Sequence, residues 1–489
     1  MKILFVYSLD EIHSILKPVP LWNHIPLGIS YLSSVLKSHG HQTQAIVLGS
    51  NKIRISQQLL GSMMEDFAPD IVCFTAVASQ YHFINKIAAY TKNKWRNKLL
   101  VIGGPHTTLN PDEVINGAFD ILCIGEGEYP LDELCTQVEN NRSTYGIPNL
   151  WIKTGKGVIE KYPTRPFLLN LDVLPFPDRE LWKPWVDEKT STAEWSVLLG
   201  RGCPYNCTYC SNHVLRKIAP GRYVRMRSPG NIIKEISSIH ENYHESRRIF
   251  FEVEAIALDK EWAFELCRQL EIYNSTINNS IAYACNFRVS PQSIDENLFV
   301  AMRKANIQSI NIGLESGSER VRRKILKRSY SNEDFLNVIS LARAHSFEIN
   351  IFNMIGIPGE TFDDHMETVL LNRLIQPDNL YTSIFFPYPS TELYNICIEQ
   401  NLINKQVNTK LERKQSVLNL PGFTKSQIQN AYTWFSYRVY KRHKTTLELL
   451  TQVIIIKFRS NPASNILFYR LSRLLRSIRN LITIKKKSL

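Results

Sequence analysis

The sequence lacks any apolar segment long enough to cross a membrane, because no run approaches the roughly 18 apolar residues that a spanning helix requires. The nearest candidate, VIIIKF at residues 453–458, is far too short. The first residues, MKILFVYSLDE, also lack the small-residue cleavage site of a secretory signal peptide. We therefore expect a cytoplasmic location.

Acidic residues are almost missing from the C-terminal segment, where residues 438–489 contain 13 Lys or Arg and a single acid, Glu448. The net charge of the whole chain is +13, so the remainder is close to neutral. The sequence is therefore a near-neutral chain with a basic tail, and not a basic protein throughout.

The length and the alternation of patterns predict several domains. A chain of 489 residues is expected to form about two to four domains. In the first third, short apolar runs such as KILFVY and DIVCFTAV alternate with helical patterns, which indicates βαβ units and a parallel sheet. We expect an α/β protein with a Rossmann-like domain at 1–145 and a Pro-rich linker at 146–190. About six further βα units predict a partial (β/α)6 TIM-type barrel at 191–395, followed by a helical C-terminal region at 396–489.

Cysteine is scarce and mostly scattered. Of nine cysteines, Cys203, Cys207 and Cys210 fall within CPYNCTYC, directly after the apolar strand WSVLLG. The other six are expected to be buried thiols in a reducing compartment. A structural zinc site usually takes four ligands, and only His213 lies nearby as a fourth. A disulfide would leave one thiol over. Three thiolates on one short loop suit a four-iron cluster that leaves one iron open.

The segment CPYNCTYC resembles the signature of radical S-adenosylmethionine (SAM) enzymes. The resemblance implies that Cys203, Cys207 and Cys210 hold a [4Fe–4S] cluster whose open iron binds the amino and carboxylate groups of SAM. One electron then cleaves SAM and releases a 5′-deoxyadenosyl radical, which abstracts hydrogen from a substrate. The resemblance also implies that Tyr209 lies against the adenine of SAM.

Three later motifs extend the resemblance. NIGLESGSE resembles the family strand that contacts the SAM ribose, with Glu315 and Ser316 at the matching positions. MIGIPGET resembles the element near the adenine, with Gly356 and Gly359. CNFRVSP resembles a strand whose arginine, here Arg288, meets the SAM carboxylate. Each of these residues also has an alternative interpretation. Ser316 could cap a helix, Gly356 and Gly359 could form a tight turn, and Arg288 could form a surface ion pair.

The segment FFEVEAIALDK departs from the family pattern, which has Gly-Gly-Glu or an acidic pair for the SAM amino group. Glu252 and Glu254 alternate on one face of the predicted strand, so either could make this contact. The altered strand also supports an alternative function, a cluster protein that binds or transfers electrons without radical chemistry.

A Rossmann-like domain ahead of the barrel resembles the cobalamin-binding subclass of these enzymes. The segments PLGISYLSSVLKSHGH, VIGGPHTTLNPDEV and DILCIGEGEYPLDEL carry the resemblance. It implies that Thr75 to Ser79 line the lower face of cobalamin and that Gly103 and Gly104 approach its nucleotide tail. The Asp-x-His-x-x-Gly motif that supplies an axial histidine is absent, so a domain that has lost the cofactor is the alternative.

These resemblances imply a cobalamin-dependent radical SAM enzyme of the class B methyltransferase type. We expect a [4Fe–4S] cluster, SAM and cobalamin as cofactors, and methylation of an unactivated carbon in a lipid or specialised metabolite. A radical cyclase or rearrangement enzyme that uses cobalamin without methyl transfer is the alternative. A tRNA methylthiotransferase would need a second cluster, and Cys73, Cys123 and Cys135 do not follow that pattern. A reductant such as flavodoxin or ferredoxin is the expected electron donor.

The basic tail has its own pattern. From residue 465, NILFYRLSRLLRSIRNLITIKKKSL places leucines and isoleucines at helical spacing opposite four arginines. A basic amphipathic helix suits an anionic membrane surface, so we expect peripheral association with the inner membrane. A helix docked on the barrel is the competing interpretation. Nucleic acid is not an expected partner, because no RNA-binding module or aromatic interleaving is recognisable.

Overall fold

The computed structural model describes residues 1–10, 12, 14–155, 157–187, 194–243, 247–403 and 409–460. The chain divides into two compact units. Unit 1 comprises Met1–Ile312, Ser340–Glu348 and Pro387–Ile396, and unit 2 comprises Gly313–Ile339, Ile349–Phe386 and Cys397–Leu489. The domain bounds expected from the sequence differ from this division and stay a prediction.

Strands and helices alternate along most of the described chain. The strands are β1 (Lys2–Leu9), β2 (Gln42–Gly49), β3 (Ile71–Thr75), β4 (Leu99–Gly103), β5 (Ile121–Cys123), β6 (Leu150–Lys153), β7 (Ile159–Lys161), β8 (Glu194–Leu198), β9 (Gly200–Arg201), β10 (Arg225–Met226), β11 (Arg248–Glu252), β12 (Ala282–Phe287), β13 (Ile307–Glu315), β14 (Glu348–Ile355) and β15 (Asn379–Ile384).

The α-helices are α1 (Leu27–Ser38), α2 (Ile53–Phe67), α3 (Tyr81–Lys94), α4 (Pro105–Leu109), α5 (Pro111–Val114), α6 (Glu128–Glu139), α7 (Asn212–Leu215), α8 (Pro229–Asn242), α9 (Lys260–Thr276), α10 (Glu296–Lys304), α11 (Asn332–Ala344), α12 (Phe362–Ile375), α13 (Glu392–Glu399), α14 (Lys425–Tyr440) and α15 (Thr446–Ser460). A π-helix covers Val321–Ile325, and short 3-10 turns link other elements.

The first sheet has seven strands in the order β2-β1-β3-β4-β5-β6-β7. The first five are parallel, and their apolar side chains are buried on both faces, as expected when helices cover a parallel sheet. The order reverses between β1 and β3. Ligands of such sheets bind beyond the carboxyl ends of the strands next to this reversal. This sheet confirms the predicted Rossmann-like fold.

Strands β6 and β7 were not predicted. They lie within the segment that the sequence analysis assigned to an extended linker, and they pair antiparallel with the edge of the first sheet. The expectation of a linker from residue 146 is therefore wrong at β6 and β7, which belong to the first sheet. Their short length, together with the prolines that follow, conceals the alternation that marks a hairpin in a sequence.

The second sheet has six strands in the order β15-β14-β13-β12-β11-β8. The pairs β8 with β11, β11 with β12, β12 with β13, and β14 with β15 are parallel. These six strands, with the helices between them, confirm the expected array of about six βα units. Chemistry in such arrays is placed at the carboxyl ends of the strands.

A buried ionic cluster stabilises unit 1. The Glu235 carboxylate on α8 is fully buried, and it accepts hydrogen bonds from Arg179 at 2.7 Å and from Arg227. Arg227 also donates to the Leu198 carbonyl at the end of β8. Because a buried charge is tolerated only when it is paired and hydrogen-bonded, this cluster fixes α8 against the strand that leads into the cysteine loop.

The helices α14 and α15 belong to unit 2. A capping box begins α14, since the Thr424 and Gln427 side chains each bond the other residue's backbone N–H. Val439 on α14 and Leu449 and Val453 on α15 are buried. The start of the basic segment at residue 438 is therefore part of the packed fold. The predicted amphipathic helix from residue 465 lies outside the described residues.

Candidate functional site

The three clustered cysteines lie on a loop of unit 1. Strand β9 leads into this loop, and the short helix α7 follows it. Cys203 and Cys207 are buried, Cys210 is half-buried, and all three are free thiols. Gly202 starts the loop with a φ of 89°, and the Cys210 amide donates to the Cys207 carbonyl at 3.1 Å. A side chain at Gly202 would overlap the Tyr223 backbone, so glycine is required at this turn.

The donor set of this loop fits an iron–sulfur cluster. No group of His, Cys, Asp or Glu side chains in the described part of the chain has the geometry of a site for a single metal ion. A [4Fe–4S] cluster differs, because each cysteine binds its own iron atom. Burial raises the pKa of Cys203 to about 11 and also raises the pKa of Cys210. Burial therefore favours the protonated form of Cys203 and Cys210, whereas metal binding favours the thiolate.

Two side chains donate hydrogen bonds to the cysteine sulfurs. The Arg288 guanidinium, just after β12, donates to Cys207 Sγ at 3.2 Å and stacks over the Tyr205 ring at 3.6 Å. Asn212 donates to Cys210 Sγ from its backbone and its side chain, each at 3.5 Å. The buried Arg288 Nε has no hydrogen-bond partner. Arg288 thus has a donor left for a ligand beside the cysteine loop.

The structure separates the two candidate glutamates. Strand β11 ends at Glu252, whose carboxylate accepts a hydrogen bond from Ser196 on β8 at 3.0 Å. Burial raises the pKa of Glu252. Glu254 lies beyond the strand and is exposed, and it accepts a hydrogen bond from Asn212 Nδ2 at 3.1 Å. The expectation that both continue one strand face is wrong, because the strand ends between them. Glu254 is the carboxylate beside the cysteine loop.

The middle of the cysteine loop is held by a distant part of unit 1. The carbonyl of buried Thr208 accepts a hydrogen bond from the Leu393 amide at 3.0 Å, at the start of α13. Tyr209, the residue expected to face adenine, is half-buried next to this bond. The cysteine loop is therefore held by its own hydrogen bond between Cys210 and Cys207 and by the bond from Leu393 at the start of α13.

Glu315 and Ser316 lie in unit 2, at the end of β13. Glu315 has a φ of 64°, and its carboxylate forms an ion pair with Arg328 at 3.2 Å. Ser316 is fully buried, and its hydroxyl accepts a hydrogen bond from the Ser318 amide at 3.2 Å. This bonding matches the cap-like alternative considered for Ser316. The ribose contact expected at Glu315 and Ser316 stays a prediction.

The glycine turn of unit 2 encloses a buried carboxylate. Gly356 and Gly359 have φ values of 81° and 77°, in the region that favours glycine. Glu360 accepts hydrogen bonds from the Gly356 and Ile357 amides at 2.6 and 3.0 Å. Burial raises the pKa of Glu360 to about 8. The turn is thus fixed by the hydrogen bonds to Glu360. The adenine contact expected at the two glycines stays a prediction.

The predicted cobalamin positions lie at the carboxyl ends of β3 and β4 in unit 1. Thr75 ends β3, Gly103 ends β4, and Ser79 lies in the loop after β3. Gly104 has a φ of 93°, and a side-chain carbon there would overlap the Thr75 hydroxyl. The backbone at Gly104 thus leaves an edge without side-chain bulk, at the end of the sheet where such folds bind ligands.

A group of ion pairs that the sequence does not reveal joins the first sheet to the cysteine loop. Glu126, in the turn after β5, and Glu128, at the start of α6, bind Arg201 at 3.0 and 2.6 Å, and Glu126 also binds Arg225 at 2.9 Å. Burial opposes ionisation of Glu126, but the bond from Arg225 and the charge of Arg201 outweigh it and lower the pKa of Glu126. Both glutamates lie in DILCIGEGEYPLDEL, whose sequence shows the two carboxylates but not the arginines that they bind.

Comparisons with known families account for both sheets. The B12 binding domain matches residues 20–135, and the Radical SAM superfamily matches residues 197–371. The chain therefore contains a B12-binding domain followed by a radical SAM domain. The predictions of a radical SAM enzyme, and of a [4Fe–4S] cluster, SAM and cobalamin as its cofactors, are confirmed at the level of these two domain families.

Similar sequences have more than one function. An uncharacterized methyltransferase of Pyrococcus horikoshii is 27% identical over 451 residues, covering 92% of this chain and 94% of the relative. An anaerobic magnesium-protoporphyrin IX monomethyl ester cyclase of Cereibacter sphaeroides is 23% identical over 376 residues. That match covers 76% of this chain but only 60% of the cyclase.

Two solved structures share the fold of this chain. The methyltransferase TsrM from Kitasatospora setae, solved with cobalamin and a [4Fe–4S] cluster, has a TM-score of 0.64 at 18% identity and covers 88% of this chain and 81% of TsrM. The cobalamin-dependent enzyme OxsB, solved with aqua-cobalamin and SAM, has a TM-score of 0.69 at 14% identity and covers 97% of this chain and 75% of OxsB. Likeness at these identities establishes the fold.

Within the described residues, no helix combines the length and the apolar character that crossing a bilayer would demand.

Proposed function

We propose that the protein is a cobalamin-dependent radical SAM methyltransferase that methylates an unactivated carbon. The observation that carries the proposal is the occurrence of a B12 binding domain and a Radical SAM domain in one chain, with three free cysteines on a loop of the second. The methyltransferase from Pyrococcus horikoshii, which matches nearly the whole chain, supports methyl transfer over other radical reactions.

The proposal assigns a task to each residue around the cysteine loop. Cys203, Cys207 and Cys210 would hold the cluster, which supplies the electron that cleaves SAM when it is bound. Glu254 would accept hydrogen bonds from the SAM amino group, since it is the exposed carboxylate beside the loop. Arg288 would bind the SAM carboxylate through its remaining donors.

Other positions would hold the rest of SAM and the second cofactor. In unit 2, Glu315 would accept hydrogen bonds from the ribose hydroxyls. Tyr209 in the loop, and the turn at Gly356 and Gly359, would contact adenine. In unit 1, cobalamin would lie at the carboxyl ends of β3 and β4 and would carry a methyl group from donor to acceptor. The residues that would border it are Thr75, Ser79, Gly103 and Gly104.

A lipid or a specialised metabolite is the proposed substrate, with flavodoxin or ferredoxin as the electron donor. The lipid option rests on the basic tail, which would place the enzyme at the inner membrane surface. Removing residues 438–489 would not test this option cleanly, because buried Val439, Leu449 and Val453 belong to the fold. The intact chain should be used instead.

Two products test the proposal. The anaerobically reconstituted protein, supplied with hydroxocobalamin, SAM and a strong reductant, should form 5′-deoxyadenosine and S-adenosylhomocysteine. The first product reports cleavage of SAM and the second reports loss of its methyl group. Both should be sharply reduced in Cys203→Ala, whereas Cys267→Ala, which removes a buried thiol on α9, should form both. S-adenosylhomocysteine formation that does not need Cys203 would contradict the proposal.

Cyclisation or rearrangement is the second candidate function. The magnesium-protoporphyrin cyclase relative favours it, although the match covers less than two thirds of that protein. This function predicts 5′-deoxyadenosine without S-adenosylhomocysteine, again dependent on Cys203. The ratio of the two products therefore distinguishes the candidates before any substrate is known.

A further inference from the structure

Helix α15 in unit 2 has a buried apolar side and, next to it, an exposed apolar side. Leu449 and Val453 are buried against the rest of the unit. On the neighbouring side, Leu447, Leu450 and Ile454 are 78%, 38% and 54% exposed. These three residues follow helical spacing, so they form one stripe, which we call the α15 stripe.

An exposed apolar stripe beside the buried side is unusual for a surface helix. Surface helices pair one apolar face with a polar face, whereas helices that are apolar all round are buried. Single exposed apolar residues are common on protein surfaces, but an aligned stripe of them marks an interaction site. The α15 stripe therefore has the composition of a surface that contacts another apolar phase.

Cationic residues flank the stripe in the sequence. Residues 438–458 contain five Lys or Arg and one acid, and Lys441, Arg442 and Lys457 are exposed. The sequence then continues through residues 461–489 with seven Lys or Arg and no Asp or Glu. Apolar residues flanked by cations match an anionic bilayer, which offers negative headgroups above a hydrocarbon interior.

We propose that the α15 stripe is a membrane-binding surface that inserts shallowly into an anionic bilayer. It adds a site within the folded unit to the proposed role of the tail, and it does not depend on methyl transfer. A second copy of the chain fits less well, because two such faces would bring like charges together. The tail at residues 461–489 also fits less well as the partner of the α15 stripe, because it too would bring like charges together.

Vesicle binding tests the proposal with the full-length, cluster-loaded protein. Sedimentation with phosphatidylcholine vesicles is compared with sedimentation with vesicles that also contain phosphatidylglycerol. We expect binding only to the anionic vesicles, weakened by salt. Ile454→Gln should weaken binding by about tenfold, because insertion of the isoleucine side chain is lost. The matched control is Ile272→Gln on α9 in unit 1, which replaces a helical isoleucine of similar exposure, 50%, and should bind as the unmodified protein does.

Each outcome decides the proposal. Iron content and circular dichroism establish that both variants fold. If Ile454→Gln binds anionic vesicles as tightly as the unmodified protein, the stripe does not face the bilayer, and the proposal fails whatever the tail does. If Ile454→Gln instead converts a dimer into a monomer in light scattering without changing vesicle binding, the stripe contacts a second copy and the proposal is also overturned. Because no turnover is measured, neither result bears on the proposed methyl transfer.

Discussion

Arg201 and Glu128 form an ion pair of 2.6 Å that joins the strand before the cysteine loop to the start of α6. Glu126 binds the same guanidinium, so one arginine receives two carboxylates from the B12-binding domain. Cys203, the first cysteine, is only two residues further along the chain. The pair therefore provides a direct mechanical connection between the two domains that carry the predicted cofactors.

Replacement of Arg201 by methionine should destabilise unit 1 and impair cluster loading. The change leaves partly buried Glu128 without its partner, which should lower the free energy of unfolding by about 3 kcal/mol. We expect lower iron content per chain after reconstitution. Denaturant unfolding and iron analysis measure the two effects. Arg268→Met, which removes a fully exposed ion pair with Glu265, is the control and should leave both unchanged. Equal behaviour of the two variants would show that the pair has no such role.

Replacement of Arg288 by methionine should weaken SAM binding. The guanidinium lies 3.2 Å from Cys207 Sγ and has an unpartnered buried N–H. Loss of a charge-assisted hydrogen bond corresponds to roughly tenfold to hundredfold weaker binding. Arg288→Lys keeps the charge but not the planar fork and should show a smaller loss. Isothermal titration with SAM on the cluster-loaded protein provides the measurement, and unchanged affinity in both variants would exclude a carboxylate contact.

Replacement of Gly104 by alanine should reduce both stability and cobalamin retention. The new side chain would meet the Thr75 hydroxyl at a backbone angle that alanine rarely adopts, at a cost of about 1–3 kcal/mol. Gly40→Ala is the control, because Gly40 has a similar φ of 85° with open space around it. Bound cobalamin is read from the visible absorption spectrum after gel filtration. Similar cobalamin loss in both variants would indicate backbone strain alone, without a role for the edge at Gly104.

His365 on α12 should make the protein sensitive to acid. Its ring is fully buried near Phe423 and Phe435, and neither ring nitrogen has a hydrogen-bond partner. Burial, with the charge of Arg438, lowers the pKa of His365 to about 4. Because the unfolded chain binds this proton near pH 6.5 and the folded chain does not, stability is lost as pH falls from 6.5 to 4, by about 3 kcal/mol. Urea unfolding across this range should show a shallower decline in His365→Phe. A parallel decline in both proteins would contradict the assignment.

Local patterns were enough to predict the fold. Most strands of the two sheets appear in the sequence as short apolar runs, and the three cysteines appear as a spacing after one of these runs. These features depend on neighbouring residues, so a sequence exposes them directly. Strands β6 and β7 escaped prediction because they are three to four residues long and close a sheet edge that only tertiary structure defines.

Contacts between distant residues could not be predicted in the same way. The different surroundings of Glu252 and Glu254 depend on where β11 ends and on Ser196, which lies on another strand. The ion pairs of Arg201 join positions more than 70 residues apart, and spacing along the chain carries no trace of them. The α15 stripe is also invisible in the sequence, because an apolar helix alone does not reveal which of its sides is covered.

The hydrogen bond between the Leu393 amide and the Thr208 carbonyl also affects the order of events during synthesis. The cysteine loop leaves the ribosome long before α13 does, and the delay is about 10 to 40 s at elongation rates of roughly 5–20 residues per second. During that interval the loop lacks one of its supports, and its thiols are open to oxidation or to the wrong metal. Iron–sulfur assembly factors that act on the completed chain would therefore meet a better-formed loop than factors that act on the nascent one.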